Sequence, residues 1–245
     1  MGCPNIRNQC SSVGSDESGH GGLFGGFAVA AFCLNKQNIK VLQKHEWCKE
    51  IKDSKELDPE KIRNISSQIK EHFEEGKDFV IANVDVKSCN ELTEKHGGDI
   101  HKALAEIHSL LHYKLENIFT FHILPNFFKK NRQNKYFNQN EAPGQFKIDY
   151  FCQVAGENQF WSIALASILA SDSYLNQLRE ISKALNIEIS NEVSHKKKIK
   201  AREEILEKLS LMGKSREYIS TTFCKANEWK KHESNLKNHK KQKAI

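Results

Sequence analysis

The stretch from Val13 to Ala31 constrains this chain more than any other. It reads VGSDESGHGGLFGGFAVAA, with an acidic pair, Asp16 and Glu17, at the point where a short apolar lead-in meets a glycine-rich turn. Six glycines fall between Gly14 and Gly26. Glycine serves where the backbone needs a positive φ or where another backbone must come very close. Apolar, strand-like residues follow from Phe24 to Leu34. The pattern predicts a strand, a tight turn with acids at its mouth, and a second strand, together a hairpin over Val13–Leu34.

Carboxylates on a strand have a defined chemical use. Asp and Glu oxygens hold Mg2+ or Mn2+, and clusters of them place two ions for in-line phosphoryl chemistry. The neighbouring glycines would let a sugar-phosphate backbone lie against peptide N–H groups. The plainer reading is a hairpin whose acids face water.

Further along, Asp58-Pro59-Glu60 has the form of a helix start, with Asp as N-cap and Pro at the first position. Ile62, Ile65, Ile69 and Phe73 give that helix its apolar face, and Gly76 is expected to end it. Residues 51–57 read as a polar loop. Phe79–Val86 is rich in β-branched residues and predicts a strand. Helices are expected over Asn90–His96 and Ile100–Leu115, then a strand over Ile118–Leu124 stopped by Pro125. Residues 129–145 read as a mobile loop, and Phe146–Val154 as the last strand. A long apolar helix is expected over Phe160–Ile181 and an amphipathic one over Lys196–Leu211, ending at Gly213. This order predicts an α/β fold with a mixed sheet.

The 245 residues are enough for one large domain or two small ones. Apolar content of 38% and charged content of 28% are those of a globular protein. No run reaches membrane-span length, so the expectation is a cytoplasmic protein, and nothing suggests more than a monomer. Seven scattered cysteines with no Cys-x-x-Cys spacing argue against a disulfide framework and a structural zinc site. The net charge of +6 is uneven: residues 191–245 carry a balance of +8 and residues 1–190 one of −2. A basic C-terminal quarter is attracted to polyanions, and it is equally a solubilising feature. The expected organisation is a disordered 1–10, a domain over 11–190 and a basic helical extension over 191–245.

Several segments together resemble the type 2 ribonucleases H, and ribonuclease HIII in particular. They are Gly14-Ser15-Asp16-Glu17-Ser18-Gly19-His20-Gly21, then Lys52-Asp53-Ser54-Lys55-Glu56-Leu57, then Asn90-Glu91-Leu92 with the helix ending at His108. Glu157, ten residues before Ser167, and Phe223-Cys224-Lys225 complete the set. The match runs from about Ser11 to Trp229. It implies a ribonuclease-H-like fold and endonucleolytic cleavage of the RNA strand in RNA–DNA hybrids, with Mg2+ or Mn2+ as cofactor. By the same resemblance Asp16, Glu17 and Glu157 would be the metal-binding, catalytic acids. Gly19, His20 and Gly21 would read ribose 2′-hydroxyls, and Lys52, Ser54 and Lys55 would contact phosphates. Pro125 stands where the family has its third carboxylate, which leaves Asp149 and Asp172 as acids to take that place, although Asp172 reads equally as a solvated helix residue. The alternative is therefore a catalytically impaired protein that binds hybrid or duplex nucleic acid. His108 is read as a packed or capping histidine, Trp161 and Phe160 as core, and Cys33 and Cys152 as small buried hydrophobes.

Overall fold

The computed structural model of the chain describes residues 11–115, 122–125, 150–153, 160–189 and, within 203–234, all but 204 and 232. A five-stranded sheet forms its framework. The strands are β1 (Ser12–Ser18), β2 (Phe27–Leu34), β3 (Phe79–Val84), β4 (His122–Pro125) and β5 (Tyr150–Gln153), in the order β3-β2-β1-β4-β5. β1 pairs with β2 antiparallel, while β1–β4 and β4–β5 are parallel. The sheet is therefore mixed, as the sequence predicts.

Helices among the described residues include α1 (Lys36–Leu42), α2 (Pro59–His72), α3 (Val86–Lys95), α4 (Ile100–Lys114), α5 (Trp161–Leu185) and α6 (Arg216–Thr222); residues 205–211 and 226–231 are helical too, and Ser54–Glu56 form a short 3-10 turn. Each begins or ends for a local reason. The Asp58 carboxylate accepts from the Glu60 and Lys61 amides at the start of α2, with Pro59 at the first position. α2 stops at His72, earlier than Gly76; that glycine instead takes φ +87° and donates its N–H to Phe79 O at the entry to β3. β3 stops at Val84, two residues short of the expected end, because the Asp85 side chain accepts from Ser88 N and caps α3. α5 runs to Leu185, and Asn186 then turns out of it at φ 51°. The 51–57 segment holds a 3-10 turn rather than an open loop, with Asp53 capping it through Lys55 N.

Among the described residues the chain divides into two compact units, neither continuous in sequence. One draws on residues up to Ser18, Ala28–Asn83 and His101–Ser173; the other on Gly19–Phe27, Val84–Ile100 and residues from Tyr174 onward. In the first, β2 is apolar and wholly buried along its length, as expected of a strand covered on both faces. Side chains alternate along β1. Ser12 and Gly14 meet the start of α5: Ser12 Oγ lies 3.3 Å from Ser162 Oγ, and a Cβ on Gly14 would sit 2.6 Å from Ile163 N. Phe32, the register partner of Gly14, packs edge-on to Phe73 at the end of α2, with ring centroids 5.1 Å apart. The opposite face of β1 turns its side chains to α4. Burying each large apolar side chain of such a core contributes about 1.5–3 kcal/mol.

The predicted loop 129–145, residues 1–10, Glu157, Asp149 and the start of the Lys196 helix lie outside the described residues. No helix among those described is long and apolar enough to cross a membrane.

Candidate active site

The acidic pair sits at the end of β1, in register with Ala30 and Val29 of β2. Neither acid is a solvated hairpin residue: Asp16 is 8% exposed, and the Glu17 side chain 6%. Strand alternation sends them to opposite faces, Asp16 with Gly14 and Glu17 with Ser15. On the Glu17 face, Glu17 Oε2 lies 3.3 Å from His108 Nε2. His108 Nδ1 is 2.8 Å from Ser15 Oγ, and that hydroxyl is also 2.7 Å from His112 Nε2. His112 Nδ1 in turn lies 2.8 Å from His122 Nδ1 on β4. Ser15, His108 and His112 are fully buried and His122 nearly so. Burial, followed by His122 and His108 as neighbours, holds the His112 imidazole well below its usual pKa, so it is neutral. His108 is packed, as expected, and also joins Glu17 to a chain of polar groups. The sequence reading did not find Ser15, His112 or His122. The available signal was the i, i+4 pair His108 and His112 on the otherwise apolar stripe of α4.

The second motif separates into two kinds of residue. Ser54 is buried, and its hydroxyl lies 2.8 Å from both Ser167 and Ser171 on α5. Lys52 and Lys55 are exposed, with Lys52 3.5 Å from Glu56. Asp172 is not the solvated helix residue it resembles in sequence. It is 4% exposed, and its Oδ2 accepts from Ser66 Oγ at 2.7 Å and Lys70 Nζ at 2.8 Å. That carboxylate is thereby engaged in joining α2 to α5.

The glycine turn belongs to the second unit. Gly19 has φ +91°, and the Tyr174 ring occupies the space a side chain would need there. Tyr174 donates its hydroxyl to Phe24 O at 3.0 Å. Gly25 also has a positive φ, and a Cβ on Gly26 would strike the Val84 and Asp85 carbonyls. Lys225 is fully buried; its Nζ donates to Gly25 O at 2.9 Å and Gly26 O at 2.8 Å, 5.7 Å from the Tyr174 ring centroid. Gly21 differs from these. It is exposed, its φ is not in the left-handed range, and among the described residues no atom beyond its chain neighbours lies within 4 Å of where its Cβ would be. Packing therefore does not require glycine at position 21. His20 beside it is partly exposed.

Carboxylate oxygens are the donors that hard divalent cations prefer. Asp16 and Glu17 fit that chemistry, although among the described residues no three acids, histidines or cysteines are grouped to hold a metal. Pro125 ends β4 in register with Gln153 of β5, and proline carries no carboxylate.

A family model described as Ribonuclease HII matches residues 13–226. Ribonuclease HIII of Phytoplasma mali (strain AT) is 31% identical over 183 residues, which is 73% of this chain and 59% of that protein. Ribonuclease HIII of Ureaplasma parvum serovar 3 is 30% identical over 186 residues, 72% of this chain and 54% of that protein. The chain thus spans little more than half the length of these relatives. The crystal structure of Bst-RNase HIII in complex with Mn2+ superposes with a TM-score of 0.68 at 23% identity, covering 96% of this chain and 72% of the other. At that identity the likeness is one of fold.

Proposed function

Because the chain belongs to the ribonuclease HII family, we propose that it hydrolyses the RNA strand of RNA–DNA hybrids at a site built on Asp16 and Glu17. The observation that carries this reading is the burial of two adjacent carboxylates at the end of a central strand. Acids are rarely kept there without a partner charge. Asp16 and Glu17 would hold Mg2+ or Mn2+, with Glu157 as the third acid. Bound divalent ions supply charge stabilisation at the entering and leaving oxygens of an in-line displacement.

The protein's own groups do the rest. The Gly19-His20-Gly21 turn would present backbone amides to ribose 2′-hydroxyls, the groups that distinguish RNA from DNA. Gly21 supports this, because a glycine that packing does not require leaves room for a ligand backbone. Lys52 and Lys55 would neutralise phosphates from their exposed positions. Ser54, with its hydroxyl between Ser167 and Ser171, would shape that turn rather than reach phosphate.

Pro125 supports a second reading, a protein that binds hybrid or duplex nucleic acid and does not cut it, since proline carries no carboxylate. The two separate in one experiment. Labelled RNA–DNA hybrid, double-stranded RNA and double-stranded DNA are incubated with the chain and Mg2+ or Mn2+, and binding is followed against salt. The nuclease reading expects cleavage of the hybrid only. Salt-sensitive binding of hybrid or duplex without product would establish the binder instead, and no binding to any of the three would overturn both.

A further inference from the structure

Three buried imidazoles and a hydroxyl stand in line behind Glu17, and the reaction as proposed uses none of them. Two periodicities put them there. Ser15 and Glu17 leave β1 on the same face. His108 and His112, four residues apart, lie on one stripe of α4. β4, parallel to β1, adds His122. The contacts run His122 Nδ1–His112 Nδ1 (2.8 Å), His112 Nε2–Ser15 Oγ (2.7 Å), Ser15 Oγ–His108 Nδ1 (2.8 Å) and His108 Nε2–Glu17 Oε2 (3.3 Å).

A carboxylate only accepts, a neutral imidazole has one N–H and one lone pair, and a hydroxyl has one proton to give. His108 Nε2 and Glu17 Oε2 approach to 3.3 Å without closing a hydrogen bond. With one proton on each ring, and that of His108 turned toward the carboxylate, these rules leave a single arrangement. His122 Nδ1–H donates to His112, His112 Nε2–H to Ser15 and Ser15 O–H to His108 Nδ1, and the His108 Nε2–H faces Glu17 Oε2 at 3.3 Å. Every donor then points the same way, and each bond polarises the next.

We propose that His108 is a positioning residue, set by the Ser15–His112–His122 chain, that orients the Glu17 carboxylate toward its divalent ion. The inference rests on Glu17 being a metal ligand. Partners of this kind change metal affinity or activity by about 10–100-fold when removed.

Two measurements test it. In the intact chain labelled with 15N-histidine, long-range 1H–15N spectra should find the N–H on Nε2 of His108 and His112 and on Nδ1 of His122. An N–H on Nδ1 of His108 or of His112 would overturn the proposal, whether or not the protein cleaves hybrids. Mn2+ binding is then measured directly on Ser15→Ala, His108→Leu and His108→Gln. Ser15→Ala and His108→Leu should weaken Mn2+ binding about 10–100-fold. His108→Gln, whose amide still donates, should recover most of it. Unchanged Mn2+ affinity in Ser15→Ala and His108→Leu, with only the melting temperature lowered, would make the chain structural and sink the proposal. The expected tautomers and Mn2+ effects without hybrid cleavage by the wild type would instead count against the nuclease reading alone.

Discussion

Two glycines of one turn answer to different demands. Gly19 holds a left-handed φ against the Tyr174 ring, so Gly19→Ala should destabilise the fold by about 1–3 kcal/mol. Gly21→Ala should leave stability within about 0.5 kcal/mol and still lower hybrid cleavage, because its added methyl projects where ligand backbone would lie. Denaturant unfolding beside a cleavage assay separates the two; equal stability losses would contradict the distinction. Cys33, buried in β2, gives a pH prediction. Burial first, and then Asp78, push its thiol from the ordinary 9.0 up to about 12. The folded value lies above the unfolded one, so this contribution to stability is present below the ordinary 9.0 and is lost as pH rises from there toward about 12. Iodoacetamide at pH 9 should therefore leave Cys33 unmodified in the folded chain, and rapid labelling there would contradict its burial.

At the scale of elements, the 3-10 turn Ser54–Glu56 separates shape from contact. Ser54→Ala removes a hydroxyl that bridges to α5, and should destabilise by about 1–3 kcal/mol with little change in the salt dependence of hybrid binding. Lys52→Ala and Lys55→Ala should do the reverse, each reducing the salt slope by about one phosphate contact. A shallower salt slope in Ser54→Ala would return Ser54 to the phosphate-binding group. In the other unit, the segment after α6 supports the glycine turn. Lys225→Met leaves the Gly25 and Gly26 carbonyls without their donor, and should destabilise by about 2–4 kcal/mol as measured by unfolding. A neutral substitution would show that the turn holds its shape without the buried amine.

For the molecule as a whole, what was legible in sequence was what repeats locally. The helix start at Asp58-Pro59, the all-apolar β2 and the hairpin joining β1 to β2 are each set by neighbours a few residues apart. The acidic pair and glycine turn were legible for the same reason, because their spacing is their signal. Contacts made across long stretches of chain were not. Asp172 looks solvated on its own helix, and only α2, a hundred residues earlier, supplies Lys70 and Ser66 to it. Ser15 and His122 meet His112 by way of three separate elements, so no window of sequence contains the chain behind Glu17. Lys225 is marked in sequence only as part of the Phe223-Cys224-Lys225 segment, and its contacts with Gly25 and Gly26 appear only in the fold.

We propose that Asp16 and Glu17 make this fold a metal-dependent nuclease. It is tested most directly by single-turnover cleavage of a labelled RNA–DNA hybrid in Mg2+ and in Mn2+, wild type beside Asp16→Asn, with the fold of both checked by circular dichroism. Metal-dependent product is expected from the wild type, with a loss on the order of a thousandfold or more in the folded variant, as for groups that act as one unit. Equal cleavage by the two proteins would contradict it.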